Sequence, residues 1–402
     1  MQIPTMRFKA LLLFLSLILV TSCSKDETMI FTSSEIEVVN IAIPEQTTVI
    51  DDQPTQLSKS VNWIENMQSS NGLLESSENT DFVSLYDNAL AALVFMNQGE
   101  LERAERIFDY FNAKLDAELL NGKGGFYQFR DGDGENGNRT WMGDNAWLLI
   151  ALNHYHSITG NNEYQEMVYE IEHWLRSLQD DDGGLWGGYN EDGTMIPKIT
   201  EGIITAFNAV NGYDGFHKNI LTFLKTNRWD ATSEVLLAWP ENPDYNYALD
   251  LLSLGNLIFE NYPEHNLLQA DRFFTTQIST VNGTAISGYC FDEDKDVVWL
   301  EGTAQMATAF RTAGDESKTN IIISELEKSF INSASLSNSI GLPYTSNYGT
   351  TYGLNLLWDH ADIAPALSAT AWYIFAKTEF NPLEIGRQKN IPISDKFWIK
   401  VN

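Results

Sequence analysis

The sequence predicts an all-α protein, an (α/α)6 barrel in which six helical hairpins form two concentric rings. Helical patterns recur in pairs, six times, between residues 56 and 377. The first member of each pair is amphipathic and the second is apolar nearly all round, and a helix apolar on every face must be buried. Six buried helices inside six amphipathic ones make an inner and an outer ring. A fixed set of six pairs favours closure over the competing architecture, an open α-solenoid.

The outer members are expected at 56–69, 101–118, 162–178, 215–227, 264–278 and 316–331. In the second of these, Ala104, Ile107, Phe108 and Phe111 keep the i, i+3, i+4, i+7 spacing among Glu102, Arg103, Glu105 and Arg106. The inner members are expected at 87–98, 144–158, 201–211, 248–261, 301–313 and 361–377. Residues 89–96 (ALAALVFM) typify their unbroken apolar character. Gly99, Gly160, Gly212 and Gly314 follow inner members, where glycine fits the left-handed position that ends a helix. Longer loops rich in glycine and aromatic residues join outer to inner member within each pair.

Ahead of the barrel, Arg7 and Lys9 precede an apolar run at 10–20 that stops at Val20-Thr21-Ser22-Cys23, the pattern of a secretory signal with a small-residue cleavage site. That site resembles a bacterial lipoprotein signal, which implies cleavage before Cys23 and lipidation of its thiol. The expected organisation is a signal at 1–22, a tether at 23–53, the barrel at 54–380 and a C-terminal tail at 381–402. Such a protein works at the cell envelope, lipid-anchored to the outer membrane or cell surface of a Gram-negative bacterium.

The formal charge is −30, and losing Arg7 and Lys9 with the signal makes the mature chain more acidic still. This surface repels nucleic acid and anionic head groups and argues against a strongly polyanionic substrate, unless cations collect in a cleft. No nucleic-acid partner is expected, no membrane contact beyond the anchor, and the chain is expected to act as a monomer. With Cys23 lipidated, Cys290 is the other cysteine, so no intramolecular disulfide forms. Stability must come from burial, which a chain of this size can supply.

Each inner member opens with an acid: Asp87, Asp144, Glu201, Asp250, Glu301, and Asp359 with Asp362. If the inner helices run parallel, these acids meet at one end of the barrel, inside the aromatic loops. Acids in a first helical turn also cap free N–H groups and offset the helix dipole, worth roughly 0.3–2 kcal/mol each, and that simpler role is open for every one of them. Asp87 and Asp144 stand apart because both sit in Asp-Asn-Ala on consecutive inner helices. Glycoside hydrolysis commonly needs two such carboxyls, one protonated and one ionised. Helix N-termini lower a carboxyl pKa, so the donor needs apolar burial or a like-charged neighbour. Asp144, between Trp141 and Trp147, fits the donor and Asp87 the partner, although the roles can be exchanged. Glu301, in Trp299-Leu300-Glu301-Gly302-Thr303-Ala304-Gln305, is the third catalytic candidate.

Trp141, Trp147, Trp186, Trp299 and Trp358, with Glu201, Asp250 and Asp359, are candidates for binding sugar, since aromatic faces stack on sugar C–H faces. Buried plugs would read the same way. The run 131–138 (DGDGENGN) fails the calcium-loop rule at its sixth and twelfth positions, Asn136 and Met142. The six histidines include no zinc spacing, and no G-x-S-x-G elbow or phosphate loop occurs. No metal or other cofactor is expected.

Tyr86-Asp87-Asn88-Ala89-Leu90-Ala91, Asp144-Asn145-Ala146-Trp147 and the 299–305 segment resemble the six-hairpin glycosidase superfamily across about 56–378. The resemblance implies an (α/α)6 barrel acting on carbohydrate. Unsaturated glucuronyl hydrolases of that superfamily place catalytic aspartates at the mouths of the first two inner helices, which map onto Asp87 and Asp144. Its endo-α-mannanases use two adjacent aspartates where this chain has Gly143-Asp144, a departure from their pattern. The expected function is glycoside hydrolysis of an oligo- or polysaccharide, with non-catalytic glycan binding as the alternative.

Overall fold

A computed structural model gives the structure of the protein and describes residues 54–242, 245–348 and 361–399. Its long helices are α1 (Gln56–Met67), α2 (Leu85–Gln98), α3 (Leu101–Lys114), α4 (Met142–Thr159), α5 (Gln165–Ser177), α6 (Thr200–Ala209), α7 (Gly215–Phe223), α8 (Asp250–Ile258), α9 (Leu300–Thr312), α10 (Glu316–Leu326) and α11 (Leu367–Lys377), followed by a single turn, α12 (Glu384–Arg387).

The apolar helices close on themselves. α2 packs on α4, α4 on α6, α6 on α8, α8 on α9, α9 on α11, and α11 returns to α2. This closure excludes the open solenoid and makes the molecule an (α/α)6 barrel. Around the ring lie α1, α3, α5, α7, a 3-10 segment at Glu264–Arg272, and α10. Burial follows the predicted contrast. Every residue from Leu85 to Met96 in α2 is buried except Tyr86, whereas α3 buries only Ala104, Ile107, Phe108 and Phe111. Gly99 (φ 83°) and Gly160 (φ 66°) end α2 and α4 in the left-handed conformation.

Two predicted elements differ. The fifth outer member is expected to be helical through residue 278, but Phe274–Ile278 is a strand paired antiparallel with Ala285–Tyr289. Thr275, Thr276 and Ile278 are β-branched and suit a strand better than a helix. The sixth inner member is expected from residue 361, but α11 begins at Leu367, after an extended Ala366. Pro365 causes this: it lacks an N–H and its ring clashes with the preceding turn, so the helix starts beyond it. α11 therefore has no acid in its first turn, and Asp362 lies buried in the turn before it. Asp359 and Trp358 fall outside the described residues, as do Cys23 and the rest of the N-terminal segment.

The C-terminal residues cover the end of the barrel away from the acids. His154 of α4 is 2.8 Å from the Pro382 carbonyl oxygen. Asn208 of α6 donates to the Leu383 carbonyl at 3.0 Å, and the Trp398 indole donates to the Glu260 carbonyl just past α8. One segment thus meets the C-terminal halves of α4, α6 and α8, which fixes these helices in one direction.

The repeated Asp-Asn-Ala receives a structural account. Asn88 accepts from the Leu74 N–H and donates to the Leu74 and Ser84 carbonyls, at 2.9–3.0 Å. Asn145 makes the same three bonds, to both backbone groups of Phe126 and to the Trp141 carbonyl, at 2.8–3.0 Å. Each asparagine ties the preceding loop to the first turn of its inner helix and so fixes where the adjacent aspartate points. Short antiparallel ribbons, Val83–Ser84 with Phe129–Arg130 and Thr140–Trp141 with Gly188–Tyr189, join these loops to one another.

Both asparagines are fully buried, so truncation leaves backbone groups unsatisfied. Asn88→Ala and Asn145→Ala are each expected to destabilise the protein by about 2–4 kcal/mol in denaturant titrations. Losses below about 0.5 kcal/mol would show that the tie carries no weight.

Candidate active site at the mouth of the inner ring

At the N-terminal end of the inner helices lies a cavity of about 360 Å³. Asp87 (α2), Asp144 (α4), Glu201 (α6), Asp250 (α8) and Glu301 (α9) all line it, and Ser368 of α11 takes the place of a sixth acid. Its wall is aromatic, with Tyr86, Trp141, Trp147 and Trp299 among Phe82, Phe129, Phe291 and Tyr344.

The acids are held differently. Glu301 Oε1 accepts from the Tyr86 hydroxyl at 2.7 Å and from Gln305 at 3.2 Å, and the Tyr86 oxygen in turn accepts from the Trp372 indole at 2.8 Å. Glu201 accepts from the Thr205 hydroxyl at 3.1 Å. By contrast, Asp144 Oδ2 and Asp250 Oδ1 are buried with no hydrogen-bond partner among the described residues. An unpaired carboxyl oxygen in an enclosed site costs free energy that a bound hydroxyl would recover.

All five carboxyls titrate above their ordinary range, and burial is the largest cause in each. Burial raises Asp87 and Asp250 from 3.8 to about 7, and raises Glu201 and Glu301 from 4.5 to about 8. Asp144 is pushed well above the carboxylate range by burial, then by the charges of Glu201 and Asp87; Arg139 opposes this only in part. Burial, the condition expected of the donor Asp144, thus outweighs the lowering effect of a helix N-terminus there, and it does so at the other four acids as well. Moving Asp87 from 3.8 to about 7 corresponds to about 4 kcal/mol, against roughly 0.3–1 kcal/mol for a helix dipole. Desolvation wins by that margin.

Of the residues singled out in the sequence, Asp87, Asp144, Glu201, Asp250, Glu301, Trp141, Trp147 and Trp299 come together in this cavity. Trp186 does not; the Lys198 ammonium lies 5.0 Å from its ring, outside the cavity lining. Sequence reasoning missed Tyr86, Gln128, Phe129, Arg139 and Ser368 as lining residues. Period-two alternation was the available signal for Arg139, which stands two residues before Trp141 on an extended segment. The described residues grouped closely enough to ligate an ion are Cys290, Asp292 and Asp294, whose side chains do not line the cavity.

No protein-family model matches the chain, and no curated protein matches its sequence. Solved structures do share its fold. An α-amylase from Clostridium perfringens aligns with a TM-score of 0.56 at 13% identity, covering 83% of this chain and 100% of its own. A D-mannose isomerase aligns at 0.56 and 12% identity, covering 82% and 96%. A glycosidase variant in complex with glucose aligns at 0.54 and 12% identity, covering 81% and 95%. At such identities the likeness establishes the fold, and the chemistry must be argued from the cavity.

Raised carboxyl pKa values have a consequence for stability. Between about pH 4 and 8 the native cavity holds protons that the unfolded chain has released, so stability falls as pH rises through that window. Asp144→Asn removes the cost of charging that site. It is expected to raise stability at pH 8 by about 1–3 kcal/mol relative to the parent, and to leave it unchanged at pH 4. A stability difference that is the same at both pH values would contradict the proposed charge state.

Proposed function

We propose that the protein is a carbohydrate-active enzyme, a glycoside hydrolase for an oligo- or polysaccharide. One observation carries this reading: five carboxyls of unequal environment project from separate inner helices into one cavity walled by aromatic rings. Hydrolysis of a glycosidic bond requires a protonated acid at the leaving oxygen and an ionised carboxylate at the sugar ring, and the cavity offers both. Asp144, pushed well above the ordinary carboxylate range by burial and by the charges of Glu201 and Asp87, suits the donor. Its proton passes to the glycosidic oxygen as the C–O bond breaks. Asp87, near 7, is available ionised, to direct a water at the anomeric carbon or to stabilise its positive charge. Glu301, fixed by Tyr86 and Gln305, is the third catalytic candidate and holds a sugar hydroxyl or shares the base role. Trp141, Trp147 and Trp299 offer faces for the sugar rings, and Glu201 and Asp250 accept from hydroxyls.

The fold likeness to a glycosidase that binds glucose supports a carbohydrate ligand, and the likeness to an isomerase means that the fold alone does not select the reaction. The N-terminal sequence supports a lipid anchor at Cys23 and a place in the cell envelope; membrane fractionation of the parent and Cys23→Ser tests that attachment.

Kinetics on a panel of oligosaccharides provide the functional test. Asp144→Asn and Asp87→Asn should each lower kcat at least about 100-fold while the protein stays folded and still binds sugar. Unchanged turnover in both variants would remove this centre. Binding without product in the parent protein would instead favour a non-catalytic glycan-binding role.

A further inference from the structure

The cavity contains one cation among its described lining residues, Arg139. In so acidic a protein, arginines readily find carboxylates. Of the described arginines, all but Arg139 and the exposed Arg106 hold a carboxylate partner within 4.0 Å. Arg139 is partly buried, yet among the described residues its guanidinium has no hydrogen-bond or ion-pair partner. Asp144 is near enough to act on it through space but does not bond to it. A planar cation kept free beside an open cavity is a ready fork for a planar or tetrahedral anion.

Its position narrows what that anion belongs to. Arg139 lines the deep cavity and also an open shelf formed with Asn138, Asn190, Glu191 and Asp192. It therefore stands on the rim, between the ring held over the catalytic carboxyls and its neighbour in the chain. Glu191 and Asp192 on the shelf, and the acids below, disfavour a densely charged polymer but tolerate one anion placed at the guanidinium. The shelf's amides suit sugar hydroxyls.

We propose that Arg139 is a specificity-determining residue that recognises one anionic substituent, a carboxylate or a sulfate, on a sugar bound at the rim of the cavity. The substrate is then a sparsely charged acidic glycan rather than a neutral one. This rests on the cavity being a sugar site, as argued above.

Binding of D-glucuronate, glucose 6-sulfate and D-glucose to the intact protein, measured by calorimetry at low and moderate salt, tests it. At least one acidic sugar should bind about tenfold more tightly than D-glucose, a preference that weakens with salt and disappears in Arg139→Gln. Arg139→Lys should restore only part of it, because the charge returns without the fork. Preference for glucuronate alone identifies a carboxylate, and for the sulfate alone a sulfate ester. Equal affinity for all three, or a preference that survives in Arg139→Gln, overturns the assignment while leaving a sugar site in place. Failure of every sugar to bind would overturn both this assignment and the sugar-site reading beneath it.

Discussion

Closure of the inner ring is the constraint on which the rest of the structure depends. Six helices too apolar to face water must bury one another, and a closed ring achieves this while gathering their first turns at one mouth. Each acid that opens a helix is thereby carried into a shared, poorly hydrated space, where ionisation is expensive. Packing supplies what offsets that cost. A fully buried Leu, Phe or Met contributes about 1.5–3 kcal/mol, and α2 alone buries Leu85, Leu90, Leu93, Phe95 and Met96. The barrel can therefore tolerate several destabilising carboxyls at one end.

Polar ties then decide where those carboxyls point. Asn88 and Asn145 act on the backbone, each binding a loop to the first turn of its helix, and Tyr86 acts on a side chain, holding Glu301 between two elements of the ring. Among the described residues, Asp144 Oδ2, Asp250 Oδ1 and the Arg139 Nε are left without a partner at the site, as are buried polar atoms elsewhere in the barrel such as Asn208 Oδ1 and the Arg387 Nε. What sets the site's three apart is that their residues also line an open cavity, where a ligand can reach them. Apolar walls with a few convergent polar groups are also the general character of small-molecule sites.

Much of this was legible in the sequence because the signals were periodic. The alternation of amphipathic and apolar helices yielded the ring, and acids recurring with the helices yielded the floor of the cavity. Local competition was harder to read. Pro365 shortened the sixth inner helix, and the β-branched residues after Phe273 turned a helix end into a strand. The wall was the least legible part, because its residues come from loops whose course is set by pairing between distant segments, such as Thr140–Trp141 with Gly188–Tyr189. Trp186 shows the limit: its loop is glycine-rich and aromatic like the others, yet its ring rests beside Lys198 outside the cavity. The upward shift of Asp144 was legible in its two flanking tryptophans, but that of Asp87 was not, because helix-end electrostatics are visible in a sequence and depth of burial is not.

The central physical claim is that these carboxyls share one enclosed space and therefore resist ionisation together. Carboxyl-carbon NMR titration, with Asp87, Asp144, Glu201, Asp250 and Glu301 assigned through single substitutions, measures this directly. The structure predicts that all five titrate above the ordinary carboxylate range, Asp87 and Asp250 near 7, Glu201 and Glu301 near 8, and Asp144 likewise displaced upward. Five ordinary titrations centred near pH 4 would contradict it, and would mean that the groups face water separately.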